Sequence, residues 1–270
     1  MANSYCPPPK GGVRGGPILV VKVGSNVLTT DSGKLDITRM SALVDQIAWL
    51  RDAGYDVVLV TSGAVACGRG ELKVGHQLDS VEQRQLFSAM GQVKLTGLYY
   101  DLFREYGIHI GQVLTTKENF QSERSYQNQR ACMEVMLANG VLPIVNENDT
   151  VSIEELMFTD NDELSGLIAR MVGAEMLVLL TGVDGLYNGN PSDAGSKVIR
   201  QVKAGDDVSR YILPSKSSAG RGGMTSKCST ALSVAKAGIR VIIANGNRDG
   251  ILPALIGNPA STVHTEIIPA

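Results

Sequence analysis

The sequence predicts an α/β fold, a three-layer αβα sandwich with a mainly parallel central sheet, and three observations carry that prediction. Short runs rich in valine, leucine and isoleucine recur along the chain, each bounded by turn-forming residues, as strands buried on both faces of a parallel sheet require. Between them lie stretches whose apolar residues return at intervals of three and four, the period of an amphipathic helix. Glycine-rich and acid-amide clusters follow several of the apolar runs, and in open parallel sheets ligands gather at the carboxyl ends of the strands.

Taken in order, residues 17–23 form the first apolar run, bounded by glycine on both sides. From Asp36 the residues Ile37, Met40, Leu43, Val44, Ile47 and Leu50 mark one face of a helix, which Gly54 stops. DVVLVTSG (56–63) reads as the second strand, and a long helix follows over about 81–105. IHIGQVLTT (108–116) is the third strand, residues 125–139 a helix, and VLPIVNEND (141–149) the fourth strand with its polar end. After the excursion TVSIEELMFT a helix opens at Asp160 or Asn161, and MLVLLTG (176–182) is the fifth strand. DGLYNGNPSD is a turn region. A loop over 215–223, a helix over 224–237 and a last buried strand, GIRVIIANG (238–246), close the pattern. Strand–helix alternation implies crossovers that place helices on both sheet faces.

A chain of 270 residues can bury a large core, and no composition break divides it. One domain over 17–270 is expected, preceded by a flexible arm at 1–16 that is rich in proline and glycine. Twenty-five basic residues oppose 27 acidic ones for a net charge of −2. That balance gives no general field for nucleic acid or an anionic membrane, so anion binding must be local. No signal peptide or spanning apolar run is present. The four cysteines, Cys6, Cys67, Cys132 and Cys228, form no CxxC pair, which points to a reducing, cytoplasmic compartment. Cys67 and Cys228 read as buried small residues, and His76, His109 and His264 stand outside every motif.

The chemistry-bearing features are two glycine-flanked lysines, Lys22 in VVKVGSN (20–26) and Lys227 in GRGGMTSK (220–227), with the clusters NEND (146–149) and TDND (159–162) between them. Glycines let backbone N–H groups approach an anion, and a lysine adds a mobile point charge. Two such cradles suggest phosphoryl transfer. The P-loop, dinucleotide and protein-kinase fingerprints are all missing.

VVKVGSNVLT (20–29), LVTSGAVACG (59–68), SAMGQ (88–92), PIVNENDTV (143–151), TDNDELSGLIA (159–169), LLTGVDGLY (179–187) and GRGGMTSK resemble, in family order, the glutamate 5-kinases of the amino acid kinase superfamily. The resemblance implies ATP-dependent phosphorylation of the side-chain carboxylate of L-glutamate, the first step toward proline. It implies Lys22 and Lys227 on the migrating phosphoryl group, with Asp162 holding both lysines. Ser62, Gly63 and Ala64 would receive the acceptor carboxylate. Asn146, Asp149 and Asn161 would capture the amino acid head, Asp149 facing its ammonium. On the nucleotide side the resemblance names Lys22, Gly24, Ser25, Thr181, Gly182, Arg221, Gly222, Gly223, Met224, Thr225, Ser226 and Lys227. Glutamate would thus bind to the part up to about residue 170 and ATP to the part beyond. Magnesium would ride on phosphate oxygens without a dedicated protein cage.

Further expectations from the resemblance are a homo-oligomer (dimer or tetramer), feedback inhibition by proline through residues 116–129 and the NEND loop, and hand-over of the acyl phosphate to a glutamyl phosphate reductase. The C-terminal PUA domain of many bacterial members, and the reductase fused to others, are not expected in this chain. Two other readings are carried forward. One is a sister kinase acting on acetylglutamate, aspartate, carbamate or a nucleoside monophosphate. The other is a non-catalytic amino-acid sensor.

Overall fold

The computed structural model describes residues 15–152, 158–211 and 223–269. The expected arm therefore lies, through residue 14, outside the described residues, as does most of the loop at 215–223.

The chain enters through β1 (Ile18–Val23), makes a single turn α1 (Ser25–Leu28), and continues into α2 (Ile37–Asp52). Asp36 caps α2, its side chain accepting from the Arg39 N–H at 2.9 Å. β2 (Asp56–Thr61) follows, then α3 (Ala64–Glu71) and the long α4 (Ser80–Arg104), which Asp79 and Glu82 open with a reciprocal capping box. β3 (Ile110–Thr115), α5 (Glu118–Gln121), α6 (Glu123–Ala138) and β4 (Leu142–Glu147) complete the first half. The second half comprises α7 (Asn161–Met171), β5 (Met176–Thr181), β6 (Gln201–Lys203), α8 (Met224–Lys236), β7 (Arg240–Asn245), α9 (Ile251–Gly257) and β8 (Thr265–Ile268).

The eight strands form one sheet in the order β3-β4-β2-β1-β5-β7-β8-β6. All pairings are parallel except that of β7 with β8. β1 lies at the seam, with β2 on one side and β5 on the other. Strand β8 and helix α9 extend the chain beyond the strand expected to close the pattern. Four residues of alternating burial in β8 leave too weak an apolar signal to read as a strand.

Side chains alternate between two apolar layers, as the period of two demands. Leu19, Val21 and Val23 of β1 join a core with residues of α2, α4 and α9. Val20 points the other way, into a core with residues of α6, α7 and α8. Lys22 has the parity of Val20, so its side chain enters the α7/α8 layer, beside Val60 and Leu179 in register.

Helix α3 escaped the sequence reading because AVACGRGE holds two glycines, which weaken a helix. Close packing on α4 compensates. A Cβ at Gly91 would overlap the carbonyl oxygen of Ala64, and one at Gly68 the backbone of Phe87. Among the described residues no helix is long and apolar enough to cross a membrane.

Candidate active site

Asp162 lies in the first turn of α7 and is fully buried. Its two oxygens face one lysine each: Lys22 Nζ stands 2.7 Å from Oδ1 and Lys227 Nζ 2.8 Å from Oδ2. The Lys227 contact has hydrogen-bond geometry, whereas the Lys22 contact is a charge pair off the hydrogen-bond direction. Lys22 comes from the seam strand and Lys227 from the first turns of α8, and both are buried. A lysine amid VVKV would be costly to bury unpaired. Burial pushes the Asp162 carboxyl up, but the two ammonium groups outweigh it and hold the carboxyl below the ordinary aspartate value. The sequence-predicted trio is thus brought together from three elements and both halves of the sheet.

Asp160 caps α7, accepting from the N–H groups of Asp162 and Glu163 at 3.0 Å each. Burial, reinforced by the neighbouring Asp162 charge, pushes its carboxyl up, against a hydrogen bond from Ser226.

On one side of this trio, Asn161 gathers residues expected from the sequence to bind the substrate. Its side-chain amide donates toward the Thr61 carbonyl (2.8 Å), Ser62 Oγ (2.9 Å) and Asn146 Oδ1 (3.0 Å). Ser62 and Gly63 form the turn between β2 and α3, where Gly63 has φ +106°, a conformation that favours glycine. Ala64 opens α3, whose N-terminus carries no side-chain cap. Asp149, expected to face an ammonium, sits 3.7 Å from Arg84 Nε of α4.

Several supporting residues were not singled out in the sequence. Gln92 of α4 accepts from Asn146 Nδ2 at 2.9 Å. Tyr99, fully buried in the same helix, shares a 2.9 Å hydrogen bond with Thr61 Oγ1 beneath the turn, and burial pushes its phenol up. Gln85 donates to the Thr150 carbonyl at 3.1 Å. The available signal was the spacing Arg84, Ser88, Gln92, one polar stripe at intervals of four.

On the other side, the site is framed by backbone. A Cβ at Gly24 would lie 3.4 Å from Lys22 Nζ, so the missing side chain leaves that ammonium approachable. Ser25 begins α1, and Gly24 precedes it without a side-chain cap. Gly223 opens α8, again with no side-chain cap, which leaves Met224, Thr225 and Ser226 at a helix end suited to phosphate. Thr181 ends β5, and Gly182 has open space where a Cβ would stand, with Asn247 Nδ2 4.0 Å away. Beyond them Asp184 accepts from Arg248 (2.6 and 2.8 Å) and Asn245 (3.0 Å), tying the loop after β5 to the loop after β7. The Arg248 bonds, with that from Asn245, hold its carboxyl below the ordinary value. Arg221 and Gly222, both expected here, lie outside the described residues. These features fit a polyphosphate: approachable buried ammonium groups, a glycine gap and an uncapped helix end. Among the described residues no group of three His, Cys, Asp or Glu side chains forms a metal cage.

His264 is buried, its Nδ1 2.8 Å from the Thr262 carbonyl, while His76 and His109 are exposed. Cys67 and Cys228 are buried and burial pushes both thiols up, Cys228 to about 11. A surface depression between α4 and β3, near Val93 and Tyr100, is lined by none of the site residues.

Residues 17–245 match the model of the amino acid kinase family. A glutamate 5-kinase of Bacteroides thetaiotaomicron is 61% identical over 93% of this chain and 70% of its own length. Those of Chlorobaculum tepidum and Symbiobacterium thermophilum are 47% and 42% identical; the chain covers 68% of the first and 91% of the second. Among solved structures, a carbamate kinase from Giardia lamblia bound to AMP-PNP shares the fold with a TM-score of 0.69 at 17% identity, covering 95% of this chain and 100% of its own. An isopentenyl phosphate kinase substrate complex does so with a TM-score of 0.66 at 17% identity, over 92% of this chain and 99% of its own.

Proposed function

The chain belongs to the amino acid kinase family and, within it, to the glutamate 5-kinases, and from that membership we infer transfer of a phosphoryl group from ATP to the side-chain carboxylate of L-glutamate. The observation that carries the chemistry is the buried bridge Lys22–Asp162–Lys227. An acceptor carboxylate with an ordinary pKa of about 4.3 is already ionised at neutral pH, so the site needs no general base. It needs cationic donors in line with the transfer and a fixed acceptor.

In this reading the Ser62 hydroxyl and the backbone of Gly63 and Ala64 receive the acceptor carboxylate. Asn161 holds that turn against β4, and Asn146 and Asp149 face the amino acid head. Lys22 approaches the phosphoryl group from the acceptor side and Lys227 from the nucleotide side, each keeping further N–H donors after its contact with Asp162. Bound ATP supplies the phosphoryl group, with magnesium on its phosphate oxygens neutralising charge. Gly24, Ser25, Thr181, Gly182 and residues 221–227 cradle the phosphates. The part up to about residue 170 then serves glutamate and the remainder ATP.

A sister kinase is disfavoured by the 61% identity to a glutamate 5-kinase, and a silent sensor by the complete charged trio. Purified protein with Mg-ATP should form a hydroxamate from L-glutamate in hydroxylamine and little from N-acetylglutamate or aspartate. Equal turnover of acetylglutamate would refute the assignment.

Proline inhibition belongs to the same reading. The segment 116–129 adjoins the NEND loop, since Asn148 N–H donates to the Thr115 carbonyl at 2.8 Å and Thr115 Oγ1 to Gln129 at 3.0 Å. Millimolar proline should inhibit, and rising glutamate should relieve the inhibition by the reciprocal factor that linkage demands. Inhibition indifferent to glutamate would exclude a shared site. A homo-oligomer is supported by the apolar residues Met90, Val93, Tyr100 and Leu114 exposed on α4 and the edge strand β3. Placement in the cytoplasm and hand-over to a reductase complete the proposal.

A further inference from the structure

Beyond its phosphates a nucleotide carries a ribose with two neighbouring hydroxyls, each able to donate and to accept a hydrogen bond. The sheet order indicates where that ribose would lie. β1, which carries Lys22, is followed by β5 and then β7, so the carboxyl end of β7 stands two strand spacings, about 9–10 Å, from that of β1. A triphosphate whose last group sits at Lys22 and Lys227, and which runs past Thr181 and Gly182, brings its ribose toward the loop after β7.

That loop, residues 246–249, is fastened at every step. The Gly246 N–H donates to the Thr181 carbonyl at 2.8 Å. A Cβ at Gly246 would fall 2.8 Å from Val27 Cγ1 of α1 and 3.1 Å from Leu180 Cβ, so the missing side chain allows the close approach. The Asn247 N–H donates to Asn245 Oδ1 at 3.0 Å, Arg248 is committed to Asp184 by bonds of 2.6 and 2.8 Å, and Asp249 accepts from Arg39 at 3.1 Å. The Asn247 side chain is the exception. It is exposed, and its Nδ2 lies 4.0 Å from where a Cβ of Gly182 would stand, in a space that no other non-neighbouring side chain among the described residues enters. A rigid loop thus presents an amide over a gap that a glycine leaves open.

We propose that the side-chain amide of Asn247 binds the ribose hydroxyls of ATP, with the Asp184–Arg248 pair positioning its loop. The inference rests on ATP being the phosphoryl donor and lying along the carboxyl ends of β5 and β7. An amide holds a donor and an acceptor side by side, which complements two neighbouring hydroxyls and brings no negative charge near the phosphates. Because the backbone on both sides of Asn247 is already tied down, binding orders only one short side chain.

The test is a calorimetric titration, without acceptor, of wild type and variants with the magnesium complexes of ATP, 2′-deoxy-ATP and 3′-deoxy-ATP. The wild type should bind at least one deoxynucleotide more weakly than ATP. Asn247→Ala should weaken ATP about 3- to 10-fold, the range of one neutral hydrogen bond, and should bind that deoxynucleotide as the wild type does, so that the preference for the hydroxyl disappears. In the hydroxamate assay the ATP KM should rise and the glutamate KM stay put. Gly182→Asn added to Asn247→Ala returns an amide to the gap and should recover part of the preference. Asp184→Asn, which releases Arg248, should reduce the preference without abolishing ATP binding. Unchanged ATP affinity in Asn247→Ala would overturn the proposal, as would an equal loss for all three nucleotides or a wild type indifferent to both hydroxyls. A wild type that binds no Mg-ATP would instead remove the reading on which the proposal stands.

Discussion

On the acceptor side of Asp162, four elements contribute side chains that already bond one another, whereas on the nucleotide side the ligand would meet glycines and an uncapped helix end. Ser62, Asn161, Asn146 and Gln92 form a continuous chain of hydrogen bonds from the turn after β2 to α4. Gly24, Gly182 and Gly223 offer backbone and room instead. Under the proposed function the contrast follows from what each side would have to tell apart. A small amino acid is distinguished from its analogues by a few charges, which takes fixed side chains and leaves mismatches unpaired. A polyphosphate offers many equivalent oxygens, and aligned N–H groups with two ammonium ions suffice. Asp162 belongs to both sides, because each of its oxygens holds the lysine of one half.

The sharpest way to break the contrast is to remove what both sides share. Asp162→Asn leaves two buried ammonium groups without their counter-charge and should cost about 3–5 kcal/mol of stability, read by urea unfolding, with transfer activity lost alongside. The pH dependence identifies the source. The folded carboxyl lies below its unfolded value, so its stabilisation is complete above about pH 4 and is lost as pH falls through the folded value. Wild type and variant should therefore differ by a constant amount between about pH 5 and 8 and converge only in stronger acid. A gap that closed near neutrality would point to a different group.

Next in size are the lysines taken singly. Lys22→Met and Lys227→Met should each remove about 3–4 kcal/mol of transition-state stabilisation, a kcat loss of about 10² to 10³, as deletion of a preorganised donor does. A Lys227→Met enzyme with normal kcat would disprove the role assigned to α8.

The smallest effect tests the wiring of the acceptor side alone. Tyr99→Phe removes one neutral hydrogen bond under the Ser62 turn, worth about 0.5–1.5 kcal/mol. Thr61 Oγ1 keeps its 3.1 Å bond to the Ser62 carbonyl. The glutamate KM should rise a few-fold while the ATP KM stays put. If the ATP KM moved instead, the two sides would not be separately built.

Much of this was legible along the chain because it is local. Apolar runs with β-branched residues make strands, the three-and-four period makes helices such as α2 and α4, and Asp36, Asp79 and Asp160 cap theirs in place. Lys22 and Lys227 could be nominated from residue type and glycine company, and Asp162 from the family resemblance of its block. What only the tertiary structure decided is which of these groups meet. The parity of β1 sends Lys22 into the α7/α8 layer rather than the α2/α4 layer, and the sheet order sets β1 between β2 and β5. One aspartate can then reach lysines from distant parts of the chain. The parts played by Gln92 and Tyr99 depend on α4 lying against β4 and the turn after β2. Local pattern fixes elements through short-range sterics and burial, but a site is a set of distances between elements, and packing alone supplies those.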